Sequence, residues 1–301
     1  MKQKSREKKK KPQLKQTGLA VLEATPPWDW PEDARQTFET VLLNKEEPLS
    51  ERLIAAELAG NFVAINDELA VALMEVLASP TEPETLRARS VISFGGVLER
   101  CDLNGFGDPY DPSPITEQVF EGIKRLLHML YHDDGVPKLV RRRILEASVR
   151  AEEKWHKEAI RRAYASEDPE WVLTAVFCMQ HIRGFEKEIL ESLNSKNELV
   201  QMHAIEAAGT WEVDAAWNHI YKLLENAETT PKKLLLVAIE AIAKIRNNTP
   251  SLEILNHLVD SDDKDVREVA DEALSVAGAY TDFDEDDLGL DEDEDASGWI
   301  N

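Results

Sequence analysis

The chain has 301 residues, 43% of them hydrophobic, and a formal net charge of −23. That is enough apolar material for one elongated domain or two compact ones, while no apolar run approaches the roughly 20 residues of a membrane span. Such an acidic chain repels phosphate backbones, which counts against general nucleic-acid binding. Its two cysteines, Cys101 and Cys178, lie far apart, which implies no disulfide framework and fits a reducing cytoplasm.

Residues 1–16 carry eight bases (Lys2, Lys4, Arg6, Lys8, Lys9, Lys10, Lys11, Lys15) against Glu7, a net of +7. Like charges extend a chain, so residues 1–24 read as a disordered basic arm; with no apolar run behind its charges, it does not read as a secretory signal. Order is expected from Thr25, where Trp28 and Trp30 stand among Pro26, Pro27 and Pro31 and suit an anchor that plugs the first exposed helix. From 25 to 280 the period is helical. Residues 116–131 place Val119, Phe120, Ile123, Leu126, Leu127 and Leu130 on one stripe, 213–224 do the same with Val213, Ala216, Trp217, Ile220, Tyr221 and Leu224, and 234–245 is apolar nearly all round. No run of strict alternation predicts a strand. Breaks at Gly60-Asn61, Ser79-Pro80, Asp134-Gly135, Asp168-Pro169, Gly184, Gly209, Thr230-Pro231 and Thr249-Pro250 punctuate the helices.

The helices repeat. A small or apolar residue recurs in the first helix of each of seven units, at Ala55, Ser90, Ile144, Ala175, Ala204, Ala238 and Ala270, with steps of 35, 54, 31, 29, 34 and 32 residues. One helix pair cannot bury both its faces, so the units are expected to stack as an α-solenoid, with small residues where first helices approach. The 54-residue step marks an insertion, read as a loop over 101–114; the last unit reads as a cap. Residues 281–301 hold ten acids and no base, a net of −10, and end in Gly298-Trp299-Ile300-Asn301. This reads as a disordered acidic tail with a short apolar docking motif at its end.

Several first helices open with an apolar residue and an arginine three positions before the small anchor: Leu86-Arg87, Val140-Arg141 and Val266-Arg267. Over residues 32–279 this pattern resembles the HEAT-like repeat family, in particular the short bacterial repeats called phycobilisome-lyase-like. The resemblance implies an all-α, armadillo-like solenoid whose inner face, lined by second helices, grips a protein or peptide. It also implies two other functions: a bilin lyase or a helper subunit of one, and a nucleic-acid-associated module like the HEAT-like repair glycosylases.

Chemistry-bearing motifs are weak. Asp102, Asn104, Gly107 and Asp108 partly mimic the start of a calcium loop, but Phe106 and Ser113 stand where ligands belong. His128 and His132 have the i, i+4 spacing that suits zinc, with Cys101 as a third ligand across the loop, but no HExxH motif surrounds them. Cys178 reads as core. With no glycine-rich phosphate loop and no GxSxG elbow, the sequence assigns no catalytic residue, no cofactor and no metal. Residues 138–162 are locally basic, nine bases against four acids. Arg141, Arg142, Arg143, Trp155, Arg161 and Arg162, together with Trp299, are therefore the candidate contacts for a protein or peptide partner of acidic or mixed charge. The acidic tail is positioned to compete with that partner for the arginines. The expected function is a non-catalytic, cytoplasmic binding scaffold.

Overall fold

The computed structural model describes residues 18–246 and 248–286, the last nine of these as helical backbone only. All the regular structure among the described residues is helical. The chain divides between Glu153 and Lys154 into two compact units. The first holds α1 (Leu19–Glu23), a 3-10 turn (Pro27–Asp29), α2 (Ala34–Leu43), α3 (Leu49–Ala59), α4 (Asp67–Ala78), α5 (Glu84–Ile92), α6 (Gly95–Asn104), α7 (Glu117–Tyr131) and α8 (Lys138–Ser148). The second holds α9 (His156–Ala165), α10 (Pro169–Cys178), α11 (Glu186–Ser192), α12 (Glu198–Thr210), a 3-10 turn (Asp214–Ala216), α13 (Trp217–Glu225), α14 (Lys232–Ile245), α15 (Thr249–Val259) and α16 (Lys264–Asp286). The division falls inside the third repeat, between its first helix α8 and its second helix α9.

Local chemistry sets the helix starts. Pro48, Pro83, Pro137 and Pro231 occupy the N-cap positions of α3, α5, α8 and α14, where a missing backbone donor costs nothing. Elsewhere a side chain satisfies the first free N–H groups: Asn66 accepts from Leu69, Thr116 from Val119, Asp168 from Glu170 and Trp171, and Asn248 from Ser251.

Within each unit the helices form two rows. First helices pack in the order α3, α5, α8 in the first unit and α10, α12, α14, α16 in the second. Second helices α2, α4 and α7 form the other row of the first unit, and α13 packs on α15 in the second. This is the stacked-pair arrangement of an α-solenoid. All seven small or apolar anchors, from Ala55 to Ala270, lie on first helices and are fully buried. Two glycines mark close approaches between neighbouring first helices. A Cβ on Gly209 would stand 2.9 Å from Cα of Ala241 in the next first helix, and one on Gly60 would stand 2.5 Å from Cβ and the carbonyl of Ser93. Helix α14, packed against α12, α13, α15 and α16, buries Leu234, Leu235, Ala238, Ile239, Ala241, Ile242, Ala243 and Ile245, as its all-round apolarity requires.

The arginine three positions before the anchor has a structural task. Arg87 Nε donates to the carbonyl of Leu77 in the last turn of α4 at 2.9 Å, and Arg52 Nε donates likewise to Leu42 at the end of α2. Gln201 reaches the Leu193 carbonyl and Arg267 those of Ser261 and Asp262. Arg52, Arg87 and Gln201 thus close free carbonyls at the C-terminal end of the preceding second helix, where the arginines also complement the helix dipole, and Arg267 bonds the turn just after α15. Arg52 adds a buried ion pair with Glu82 at 2.7 Å.

Three boundaries differ from the sequence reading. The arm expected over 1–24 overlaps α1, whose Leu19 and Leu22 are buried; two leucines three apart, on a helix packed on α2 and α3, supply its apolar contact. Of the two anchor tryptophans only Trp30 is held, by hydrogen bonds to the Leu22 and Thr25 carbonyls and an edge contact with Phe38, while Trp28 is exposed. The insertion is also more than a loop. Helix α6 runs through Asn104 and buries Cys101, so the insert spans 95–116, a helix plus a turn-rich segment. Without those 22 residues the 54-residue step becomes 32, the regular repeat length. The helical backbone of α16 continues to Asp286, past residue 281 where the tail was expected to begin; the rest of the tail lies outside the described residues.

Candidate functional site

The residues proposed from sequence for partner binding fall in two units. Arg141, Arg142 and Arg143 belong to the first unit, and Trp155, Arg161 and Arg162 to the second. Successive residues on a helix point about 100° apart, so three consecutive arginines cannot share a face. Arg142 is buried at 5% exposure and offers little to a partner. Arg141 pairs with Asp134 at 2.8 Å and Arg143 pairs with Glu146. Trp155 is half-buried against His156, with ring centroids 4.1 Å apart. Arg161, over the Phe185 ring, and Arg162, 4.0 Å from Glu158, are exposed on α9. Trp299 lies outside the described residues.

The metal candidates are placed as follows. Asn104 Nδ2 donates to Asp111 at 3.0 Å, which also pairs with Arg100, and Asp108 accepts from the Tyr110 backbone N–H. The loop oxygens thus serve the loop itself. The rings of His128 and His132 meet edge-on at 4.8 Å. Cys101 is buried, and burial pushes its thiol up, away from the thiolate a metal needs. Among the described residues no group of three or more His, Cys, Asp or Glu side chains is arranged around a common centre.

A different surface is built in the first unit, on its row of second helices. One cleft of about 300 Å3 lies between α2 and α4, lined by Glu39, Leu43, Glu68, Val71, Ala72 and Glu75. A second of about 510 Å3 lies between the start of α4 and the insert, lined among others by Glu68, Phe106, Pro112, Pro114 and Glu117. Asp67 and Glu68 line both, so the two clefts run together. The floor is partly apolar: Leu43 and Val71 are 38% and 44% exposed, and Phe106, Pro112 and Pro114 form one wall. Every charged residue of the lining is an acid. Asp67 is used structurally, accepting from the Thr116 N–H at 2.7 Å and its hydroxyl at 2.9 Å, which ties the end of the insert to α4. Glu39, Glu68, Glu75 and Glu117 make no ion pair with any described residue. Elsewhere in the same unit carboxylates do find cations: Glu82 with Arg52, Glu57 with Arg89, Glu99 with Arg150.

No family model and no curated protein matches this chain. Among solved structures it is similar to human deoxyhypusine hydroxylase in complex with glycerol, at 16% identity and a TM-score of 0.37, over 82% of this chain and 97% of that one. An engineered protein is similar at 15% identity and a TM-score of 0.41, over 82% and 68%. A designed armadillo repeat protein is similar at 14% identity and a TM-score of 0.32, over 81% and 99%. The architecture stands on the chain's own helix rows, and no activity or ligand is carried over from these proteins.

Sequence reasoning missed the acidic groove because its residues come from α2, α4 and the segment after α6. One local signal was present. Residues 67–78 carry three acids and no base, with Val71 one step out of phase with the buried Leu69, Ala70, Ala72 and Leu73. An exposed apolar residue among unpaired acids departs from an ordinary solvated face, where charges of both signs alternate.

Proposed function

We propose that the chain is a non-catalytic binding scaffold whose groove on α2, α4 and the insert takes a basic, partly apolar segment of another protein. The observation that carries this reading is the groove's chemistry: four carboxylates that pair with no described cation, around exposed Leu43 and Val71. An extended lysine- or arginine-bearing peptide complements both features, its charges meeting the acids and its alkyl stems covering the apolar floor. Such a contact gives specificity through sign and shape and is weakened by salt beyond about 10 Å at 0.1 M. Two free, buried cysteines suit work in the cytoplasm. No helix of the described residues is long and apolar enough to cross a membrane.

The test is a fluorescence-anisotropy titration of the full chain with a short labelled peptide of alternating lysine and leucine, beside its glutamate–leucine counterpart. Salt-sensitive binding of the lysine peptide alone, lost in Glu39→Lys/Glu75→Lys, is the expected result. Equal binding to that variant, or binding of both peptides, overturns the reading. A second, acidic partner is favoured by one observation, the exposure of Arg161 and Arg162 on α9. Binding of the glutamate peptide that is lost in Arg161→Ser/Arg162→Ser but unaffected by the groove variant supports that second contact.

A further inference from the structure

We infer that the groove is occupied in cis by the chain's own basic segment, Lys2–Lys15, so that a partner must displace it. This rests on the groove reading above and adds its regulation.

Three observations carry it. The first is charge: residues 1–16 hold eight bases against one acid, and the groove holds four carboxylates that no described cation meets. The opposite terminus cannot substitute, since residues 281–301 hold ten acids and share the groove's sign. The second is the point of attachment. Helix α1 buries Leu19 and Leu22, packs on α2 and α3, and is held by Trp30 through the Leu22 and Thr25 carbonyls. Helix α2 itself lines the groove through Glu39 and Leu43. The basic segment therefore starts beside a groove wall. The third is reach. Sixteen residues span up to roughly 53 Å when extended, whereas α2 is about 15 Å long and a neighbouring helix lies about 10 Å away. The segment can run the length of both clefts with chain to spare. Its lysine stems and Leu14 suit the apolar floor of Leu43 and Val71.

Tethering makes the competition quantitative. A short linker holds its segment at an effective concentration of about 1 mM. With an intrinsic Kd of about 100 µM for the segment itself, this weakens the apparent affinity of any competing ligand about tenfold.

The experiment titrates a labelled peptide with the sequence of residues 1–16 into two full-length chains. One is unaltered; the other carries Lys8→Gln, Lys9→Gln, Lys10→Gln and Lys11→Gln. Each is repeated with Glu39→Lys/Glu75→Lys, and circular dichroism verifies the helical fold throughout. The expected result is binding about tenfold tighter to the neutralised chain, with binding to both removed by the groove reversal. Equal affinity for the two chains, still removed by that reversal, overturns occupancy in cis and leaves the groove reading standing. Binding to neither chain, or binding indifferent to Glu39 and Glu75, overturns both.

Discussion

The first-helix row of the second unit and the groove of the first unit use similar helices to opposite ends. Between α12 and α14 the contact is so close that Gly209 meets the Ala241 backbone, and Ala204 and Ala238 are fully buried. Between α2 and α4 the outward positions carry Glu39, Glu68 and Glu75 around exposed Leu43 and Val71. Small residues close one surface; acids that pair with no described cation line the other. The same repeat therefore supplies a tightly packed spine and an acidic surface suited to a basic ligand.

The sharpest way to break this contrast is to put a charge into the spine. Ala204→Asp and Ala238→Glu are each expected to destabilise by about 3 kcal/mol or more, because a carboxylate would be buried at a helix contact with no partner. Urea denaturation checks this, and an unmoved midpoint would show that the first helices do not meet at those residues. A smaller loss is expected at the buried pair. Arg52→Met removes the bond to the Leu42 carbonyl and the partner of Glu82, but Lys45 remains 3.7 Å from Glu82 and the arginine Nη2 has no hydrogen-bond partner to lose. The expected cost is about 2 kcal/mol, below the usual cost of stranding a buried charge.

That pair also sets a pH window. Hydrogen bonding from Arg52 outweighs burial and holds the Glu82 carboxyl below its ordinary value of 4.5. A carboxyl depressed in the folded state stabilises the protein fully above its unfolded pKa, and that contribution is lost as pH falls through the folded pKa. The stability difference between the native chain and Arg52→Met is therefore expected to be constant near neutrality and to shrink below about pH 4. Denaturation midpoints of both proteins across that range test it; a difference that persists undiminished at lower pH would assign the arginine's effect to the Leu42 carbonyl alone.

The two surfaces were unequally legible. The seven anchors that spacing and residue type identify are all fully buried, because a period near 32 residues and a small or apolar side chain are properties of the chain itself. Helix α6 was not legible: Gly95-Gly96 opens it and Leu103 near its end is 77% exposed, so no clean apolar stripe announces it. The arginine cluster was legible only as composition, which counts charges without their phase; Arg142 turns inward between Arg141 and Arg143. The groove depends on which helices become neighbours, and α2, α4 and the insert are brought together only by the stack.

On the groove side, substitution is expected to change binding and leave stability nearly untouched. Glu75 is exposed and pairs with no described cation. Glu75→Lys also relieves repulsion from Glu39 and Glu68, so its denaturation midpoint is expected to match or slightly exceed that of the native chain, within about 0.5 kcal/mol. A loss well beyond that would mean that Glu75 has a structural partner and that the groove belongs with the spine.

The smallest effect is expected at the edge of the insert. Asp108 is exposed, and its one described bond is the local acceptance from the Tyr110 N–H at 2.8 Å. Such a turn competes with water and contributes little net free energy. The neighbouring bonds of the insert, Arg100 and Asn104 to Asp111, Ser113 to the Gly105 carbonyl and Thr116 to Asp67, do not involve Asp108. Asp108→Ala is therefore expected to cost less than about 0.5 kcal/mol and to leave binding of the lysine–leucine peptide unchanged, since Asp108 lines neither cleft. Added calcium supplies a second readout. If the loop oxygens serve only the loop, calcium leaves the melting temperature of both proteins where it was. A calcium-dependent rise in the native chain that is absent in Asp108→Ala would instead assign these oxygens to a cation.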